Sequence, residues 1–153
     1  MSSANAQASI SRNEPFTCGN FRVEIQGITA MSFSEVSGLE VSIDVVEYRA
    51  GDAKVNTEQK LPGLYKTTDV TLKRGLTRDL GLWNWINSAT AGNLNRTNVV
   101  ITLLDLADNA VLAWKLRNAW PRKWSGPALN AGSSDVAMEE LVLCHEGLEL
   151  SAS

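Results

Sequence analysis

Residues 39–75, LEVSIDVVEYRAGDAKVNTEQKLPGLYKTTDVTLKRG, decide the fold of this chain. Apolar and polar residues alternate in two parts of it, Leu39–Val45 and Asp69–Lys73. Alternation with a period of two predicts β-strands with one face on a core and one face in water. Residues 50–60 between them are polar and predict a long loop, and Pro62-Gly63 predicts a turn. The stretch therefore favours antiparallel β-structure with a long central loop.

Working outward, further strands are predicted on both sides of this stretch. Ser34–Tyr48 reads as one long strand, in which Gly38 allows a bulge or bend. Asp108-Asn109 predicts a hairpin turn between two other strands. Asn98–Leu106 is apolar on both faces, which is typical of a strand in the middle of a core. The remaining strands are predicted at Phe21–Gln26, Thr68–Arg74, Ala110–Trp120 and Asp135–Leu150, the last one broken or bulged near Gly147.

One helix is predicted after residue 76. Thr77 is its expected N-cap, Asp79 its expected first-turn carboxylate, and Gly92 its expected end. Spacings of three and four define the face that we expect to be buried: Leu76, Leu80, Trp83 and Ile86.

The fold class that follows is mainly β, an antiparallel β-sandwich or barrel with one α-helix. Composition is uniform after a small, polar N-terminal segment, so we expect a flexible leader over residues 1–14 and a single domain over residues 15–153. The 153 residues include 44% hydrophobic and 20% charged residues, which is typical of a globular domain.

Charge and cysteine content exclude several classes of function. The net charge of −3 offers no basic excess for a phosphate backbone. Cys18 and Cys144 form no CxxC pair, and we expect free thiols in a reducing compartment. The N-terminus lacks the pattern of a secretory signal, and no apolar run approaches the length of a membrane helix. We therefore expect synthesis in the cytoplasm and no membrane insertion.

The sequence contains few residues that could act in catalysis. His145 follows Cys144, but neighbours on a strand point to opposite faces, so an ordinary strand histidine is favoured over a nucleophile pair. Glu139-Glu140 is read as a solvated strand end for the same reason. Metal sites need three or four convergent ligands, which one histidine and two distant cysteines do not supply. We expect neither an enzyme nor a cofactor.

The tryptophans leave two interpretations open. They would suit a sugar-binding platform, but core or subunit-contact positions are favoured, because Trp83 and Trp114 fall on apolar faces. Residues 120–124 combine aromatic and basic residues beside Pro121, which suits either a subunit contact or a local surface cluster. The subunit-contact candidates here are Trp120, Arg122 and Trp124.

Several short strings occur in an order that carries a resemblance over residues 16–150. The strings are Phe33–Leu39, Val46–Gly51, Lys60–Gly63, Val70–Gly75, Trp83–Trp85, Asn118–Pro121 and Met138–Leu141. Together they resemble the inner tube proteins of contractile phage tails and phage-tail-like contractile injection systems. The resemblance implies a structural subunit whose extended strands join an intersubunit β-barrel in a hexameric ring. Such rings stack into a hollow tube that sheath contraction drives through a target envelope.

The resemblance also implies partners and sites. The expected partners are further copies of the chain, a contractile sheath protein, baseplate or spike and tube-terminating proteins, and a cargo effector or nucleic acid in the lumen. The expected location is a phage-tail-like particle that is assembled in the cytoplasm, and the sequence leaves open whether this particle is released. The lumen-facing candidates are Glu40, Ser42, Asp44, Thr71, Lys73, Lys115 and Arg117. The ring-stacking candidates in the central loop are Asp52, Lys54, Asn56, Glu58 and Lys60.

Three alternatives stay open at this point. The chain is also compatible with a type VI secretion-like ring protein, with a tube-initiator or terminating subunit, and with a monomeric ligand-binding β-sandwich. The type of parent particle (phage tail, bacteriocin or injection system) is likewise left open by the sequence.

Overall fold

The computed structural model of the protein describes residues 15–17, 19–48, 59–132 and 134–152. These ranges contain ten strands and one helix. The elements are β1 Asn20–Ile25, β2 Ile28–Phe33, β3 Glu35–Ser37, β4 Val41–Tyr48, β5 Gln59–Thr67, β6 Val70–Gly75, α1 Gly81–Thr90, β7 Thr97–Leu104, β8 Ala110–Ser125, β9 Met138–Cys144 and β10 Gly147–Ala152.

The main sheet closes on itself. Its order is β2-β1-β7-β8-β9-β6-β3, with β10 also paired to β8, and every pairing is antiparallel. The two ends of this path, β2 and β3, are separated only by Ser34, whose backbone N–H donates to the carbonyl oxygen of Lys73 on β6 at 3.0 Å. A single run of chain therefore pairs with β1 at one end and with β6 at the other. The predicted class, mainly antiparallel β with one helix, is confirmed.

The core lies inside this barrel. Burial alternates residue by residue along β6 and β9, because successive strand residues point to opposite faces. Val99 and Ile101 on β7 are fully buried, which confirms that this strand lies in the middle of the core. The helix α1 contributes Leu82, which is also fully buried and belongs to the same apolar cluster.

The start and the buried face of the helix differ from the prediction. Helix α1 begins at Gly81, four positions after Thr77, whose hydroxyl instead accepts a hydrogen bond from the backbone N–H of Asp79 at 3.2 Å. Its inward residues are Leu82, Trp85 and Ile86, while the predicted face is largely exposed: Leu76, Leu80 and Trp83.

Glycine at the helix start explains part of this difference. A Cβ added at Gly81 would lie 2.7 Å from the terminal methyl of Met31 on β2, so the helix start passes close to the sheet and a larger residue would require the Met31 side chain to move. The predicted helix end is confirmed, since Gly92 has a φ of +97° and its N–H donates to the carbonyl oxygen of Ala89.

Two prolines that the sequence predicts to interrupt strands lie inside them instead. Pro62 stands opposite Val45 in the β4–β5 ladder, next to a register shift, so residues 59–67 form a strand and not a loop with a turn. Pro121 lies within β8, again at a register shift, and the strand continues to Ser125. Proline lacks an N–H, and such irregular positions tolerate the missing ladder bond. The predicted break near Gly147 is confirmed by the gap between β9 and β10.

A buried polar network ties β6, β8 and β9 to the start of the helix. The guanidinium of Arg74 donates to one carboxylate oxygen of Glu139, and the indole N–H of Trp124 donates to the other at 3.1 Å. Arg74 also donates to the backbone oxygen of Asp79 at 3.0 Å and lies over the ring of Phe33. Glu139 is only 3% exposed, so the reading of this position as a solvated strand end is wrong.

Removal of the Glu139 carboxylate should strongly destabilise the subunit. The change Glu139→Ala leaves the Arg74 cation buried without its main partner, and breaking a buried pair from one side typically costs about 3–5 kcal/mol. The matched control is Glu149→Ala, which removes an exposed carboxylate 3.5 Å from Arg117 and should cost about 1 kcal/mol or less. Urea unfolding of the monomeric protein measures both. Equal costs for the two variants would contradict the account of the network.

A second prediction concerns the stability of the subunit at low pH. The backbone N–H of Gly81, and then the Arg74 guanidinium, hold the pKa of Asp79 below its ordinary value. A depressed carboxyl pKa contributes stability above the unfolded value, and this contribution is lost as the pH falls through the folded value.

The Asp79 side chain is 54% exposed, so its ion pair with Arg74 should contribute at most about 1 kcal/mol. The difference in free energy of unfolding between wild type and Asp79→Asn should therefore shrink between neutral pH and about pH 3. The change Asp108→Asn removes the same charge in the β7–β8 turn as a control. If the difference in free energy of unfolding between wild type and Asp79→Asn stays constant with pH, the role assigned to Asp79 is contradicted.

Candidate assembly surface

Strands β4 and β5 form a two-stranded sheet of their own, which we call the β4–β5 hairpin. They pair with each other from Val41↔Thr67 to Tyr48↔Gln59, and no barrel strand in the described ranges pairs with either of them. The outer edges of both strands therefore carry backbone N–H and C=O groups without a ladder partner. An isolated two-stranded hairpin is marginally stable in water, so this element needs a further surface to pack on.

Both faces of the β4–β5 hairpin are apolar and exposed. Val45 and Val46 are consecutive in the strand and so point to opposite faces, yet they are 62% and 50% exposed. The prediction that the apolar face of this strand packs on the core is therefore wrong. The exposed apolar residues of the hairpin are Val41, Ile43, Val45, Val46, Tyr48, Leu61, Leu64 and Tyr65. Contiguous apolar surface of this kind marks sites of association with another molecule.

The predicted lumen-facing residues lie on the hairpin and on two barrel strands. Glu40, Ser42 and Asp44 lie at the start of β4 or within it, Thr71 and Lys73 on β6, and Lys115 and Arg117 on β8. All seven are exposed or half-buried, and none belongs to the core. The structure divides them between the hairpin and the barrel, so they do not form one cluster within a single subunit.

Three of the five charged residues in this set are paired with an opposite charge on a neighbouring strand. Asp44 lies 2.8 Å from Lys66 on β5, Arg117 lies 3.5 Å from Glu149 on β10, and Lys73 lies 3.9 Å from Glu35 on β3. Exposed pairs of this kind contribute little stability, but they place opposite signs side by side. The partner residues were missed by sequence reasoning, because finding them requires the strand register.

The predicted ring-stacking residues fall mostly outside the described ranges. Asp52, Lys54, Asn56 and Glu58 lie in residues 49–58, which the structure does not describe. Lys60 is described: it is exposed on β5 and stands opposite Glu47 on β4.

The aromatic and basic cluster of residues 120–124 makes contacts within the subunit. Arg122 forms an ion pair with Asp69 in the connection between β5 and β6. Trp124 meets Trp83 of the helix edge to face, with ring centroids 5.1 Å apart, and both Trp120 and Trp124 are half-buried. These contacts join β8 to the helix and to the base of the hairpin.

The remaining features offer little for chemistry. An open cleft of about 570 Å³ lies between α1 and the β1–β2 turn, and Trp85 is the one tryptophan among its lining residues.

In the ranges that the structure describes, no group of three His, Cys, Asp or Glu side chains converges on a metal position. The same ranges contain no helix with the length and apolar character needed to cross a membrane. Cys144 has a free, half-buried thiol.

A closed antiparallel barrel with one helix and a projecting apolar hairpin defines a structural subunit that is completed by contacts with other chains. Residues 18–149 match the family model described as T4-like virus tail tube protein gp19. This match spans most of the chain, which therefore belongs to that family and is a structural tube subunit. No curated protein matches the chain by sequence.

Solved structures of similar chains agree with this assignment. A chain of the extended sheath–tube complex of PVC, an extracellular contractile injection system, is 28% identical with a TM-score of 0.82, covering 99% of this chain and 100% of that one. A chain from the sheath/tube terminator of the same kind of particle is 29% identical with a TM-score of 0.80, covering 93% and 100%. Hcp1 from Flavobacterium johnsoniae, at 12% identity and a TM-score of 0.54, covering 88% and 97%, shares the fold alone.

Proposed function

We propose that this protein forms hexameric rings that stack into the inner tube of a phage-tail-like contractile injection particle. The observation that carries the proposal is the β4–β5 hairpin, whose two apolar faces and two open edges have no partner within the described subunit. Ring closure would pair such edges and cover such faces at once. Strand β10 also has an open edge, because it pairs with β8 on one side and with no other described strand on the other side. We infer that hairpin edges and β10 edges of adjacent copies join into the continuous sheet around the lumen.

The proposed partners come from the particles in which similar chains occur. Those particles contain a sheath, a tube terminator and a baseplate. We therefore propose a sheath, a terminating cap and a baseplate or spike as partners of the assembled tube. The subunit acts without catalysis, is made in the cytoplasm and becomes part of a particle that is released.

We further propose that the wall of the tube is electrically mixed. The pairing of Asp44 with Lys66 and of Arg117 with Glu149 puts both signs on the strands that carry the lumen-facing candidates. Sixfold repetition of a neutral pair produces no strong field of one sign. Such a wall would let a cargo effector or nucleic acid slide without holding it.

Identity and structural similarity favour the injection-particle branch over a type VI secretion-like ring. The PVC chain is 28% identical with a TM-score of 0.82, whereas the Hcp1 chain is 12% identical with a TM-score of 0.54. A monomeric ligand-binding module is disfavoured because the tryptophans do not share one cleft. Trp83 contacts Trp124, while Trp85 lines the cleft beside α1.

A charge placed on the hairpin should block assembly and spare the fold. Val45→Asp introduces a carboxylate at a position that is 62% exposed, so its free energy of unfolding should stay within about 0.5 kcal/mol of wild type. Negative-stain microscopy of purified protein should show rings or tubes for wild type and for the control Val45→Ile, but only small particles for Val45→Asp. Normal tubes formed by Val45→Asp would overturn the proposed role of the hairpin.

Deletion of residues 52–58 should separate the two stages of assembly. The segment belongs to the connection between the two strands of the hairpin, which is longer than the roughly 2–5 residues usual for a hairpin loop. We expect the deletion variant to remain soluble and to form rings that do not stack, because the hairpin faces are kept. Sedimentation and microscopy distinguish rings from tubes. Tubes of normal length would refute a stacking role for this segment.

A further inference from the structure

His145 occupies an unusual position between β9 and β10. Its ring is buried, with 8% exposure, and both of its nitrogens lie within hydrogen-bond distance of backbone carbonyl oxygens. Nδ1 lies 3.1 Å from the oxygen of Gly147, and Nε2 lies 2.9 Å from the oxygen of Thr68. The first partner belongs to β10 of the barrel, and the second lies in the two-residue connection between β5 and β6.

The chemistry of these two partners selects one charge state. A carbonyl oxygen only accepts hydrogen bonds, and a neutral imidazole has one N–H and one bare nitrogen. The neutral ring can therefore bond to one of the two carbonyls, and its bare nitrogen faces the other. The imidazolium ion has two N–H groups and satisfies both.

Carboxylates near this position are already engaged by arginines. Glu146, the next residue, lies 2.8 Å from Arg96 and also accepts from Asn118. The elements around His145 carry the following titratable and charged groups: Lys60, Tyr65 and Lys66 on β5, Asp69 beside Thr68, Lys115, Arg117, Arg122 and Lys123 on β8, Glu139, Glu140 and Cys144 on β9, Glu146, and Glu149 on β10. Asp69 pairs with Arg122, and Glu149 pairs with Arg117. The hydrogen-bond partners of the His145 ring are thus the two carbonyl oxygens.

Thr68 gives this contact a structural consequence, because it closes the base of the hairpin. Its hydroxyl donates to the carbonyl oxygen of Gly38 at 2.9 Å, and Gly38 precedes the outgoing strand β4. Gly38 has a φ of +87°, and an added Cβ would collide with the carbonyl oxygen of Asp69. The two ends of the hairpin therefore cross in close contact at Gly38 and Thr68. The ring of His145, which belongs to the barrel, contacts Thr68 at this crossing.

We propose that His145 is a positioning residue that fixes the base of the β4–β5 hairpin to the barrel only as the imidazolium ion, so that pH controls the hairpin. Both hydrogen bonds are present at the lower pH. As the pH rises and the ring loses its proton, the remaining N–H stays on Nδ1, whose partner Gly147 is only two residues away in the same turn. The bond from Nε2 to Thr68 is then lost, and the ring no longer holds the base of the hairpin. The consequence for tube formation rests on the proposed function, while the link between the proton and the hairpin does not.

Nuclear magnetic resonance tests this link in the unassembled protein. Since the chain has a single histidine, selective ¹⁵N-histidine labelling reports on this ring alone. Across a series of samples from about pH 5 to about pH 8, the proposal expects the ring nitrogens to change from the imidazolium to a neutral signature. The backbone amides of Thr68, Asp69 and Gly38 should shift with the same midpoint, and those of Val99 and Ile101 should not. A ring that titrates without these three amides, or that is neutral over the whole range, overturns the proposal.

The variant His145→Gln supplies the matched control. A glutamine amide still donates to a carbonyl but has no proton to lose in this range, so the hairpin amides should lose their pH dependence. Light scattering then follows tube assembly: the wild-type rate should fall from about pH 6 to about pH 8, and the variant rate should stay flat. Equal pH dependence of assembly in both proteins overturns the proposal. If the wild type forms no tubes at any pH, the proposed function fails, and the amide titration alone still decides the role of His145.

Discussion

Closure of the barrel through one uninterrupted run of chain is the constraint on which the rest of the structure depends. Because Ile28–Phe33 pairs with β1 and Glu35–Ser37 pairs with β6, the two ends of the main sheet are covalently joined at Ser34. The barrel then has room for one apolar interior, which residues of β1, β2, β6, β7, β8, β9 and α1 fill. The next segment, β4–β5, has no position left in the sheet and projects from it. The uncovered hairpin is therefore a direct result of how the barrel closes.

A small group of polar contacts fixes where the hairpin leaves the barrel. The crossing of Gly38 and Thr68 is held by a hydroxyl donor, by the ring of His145 and by the ion pair between Arg122 and Asp69. Polar contacts of this kind specify geometry more than they add stability, since each must offset the desolvation of its groups. The apolar residues beyond the crossing stay exposed within the described subunit, from 47% at Leu61 to 75% at Leu64. Membership of the tail tube family gives these residues a use, because a tube subunit meets copies of itself.

Sequence patterns predicted the barrel well and the hairpin poorly. The alternation in β6 and the doubly apolar β7 reflect burial on a core, which is a local signal that a single chain carries. Pro62 and Gly63 were misleading because a strand without a neighbour on its outer edge tolerates a missing N–H. The exposed Val41, Ile43 and Val45 look like core residues, since alternation reveals an apolar face and not what covers it. The buried pair of Arg74 and Glu139 was missed because it joins residues 65 positions apart.

The central claim is that the two faces and edges of the hairpin become covered when subunits assemble. Hydrogen–deuterium exchange of Val41–Tyr48 and Gln59–Thr67 in monomeric and in assembled protein measures whether these strands become covered. The account predicts that the outward-facing amides of both strands exchange fast in the monomer and become strongly protected in the assembly. Buried amides of β7 should be protected in both states. Assembled protein in which the hairpin amides exchange as fast as they do in the monomer would contradict the account.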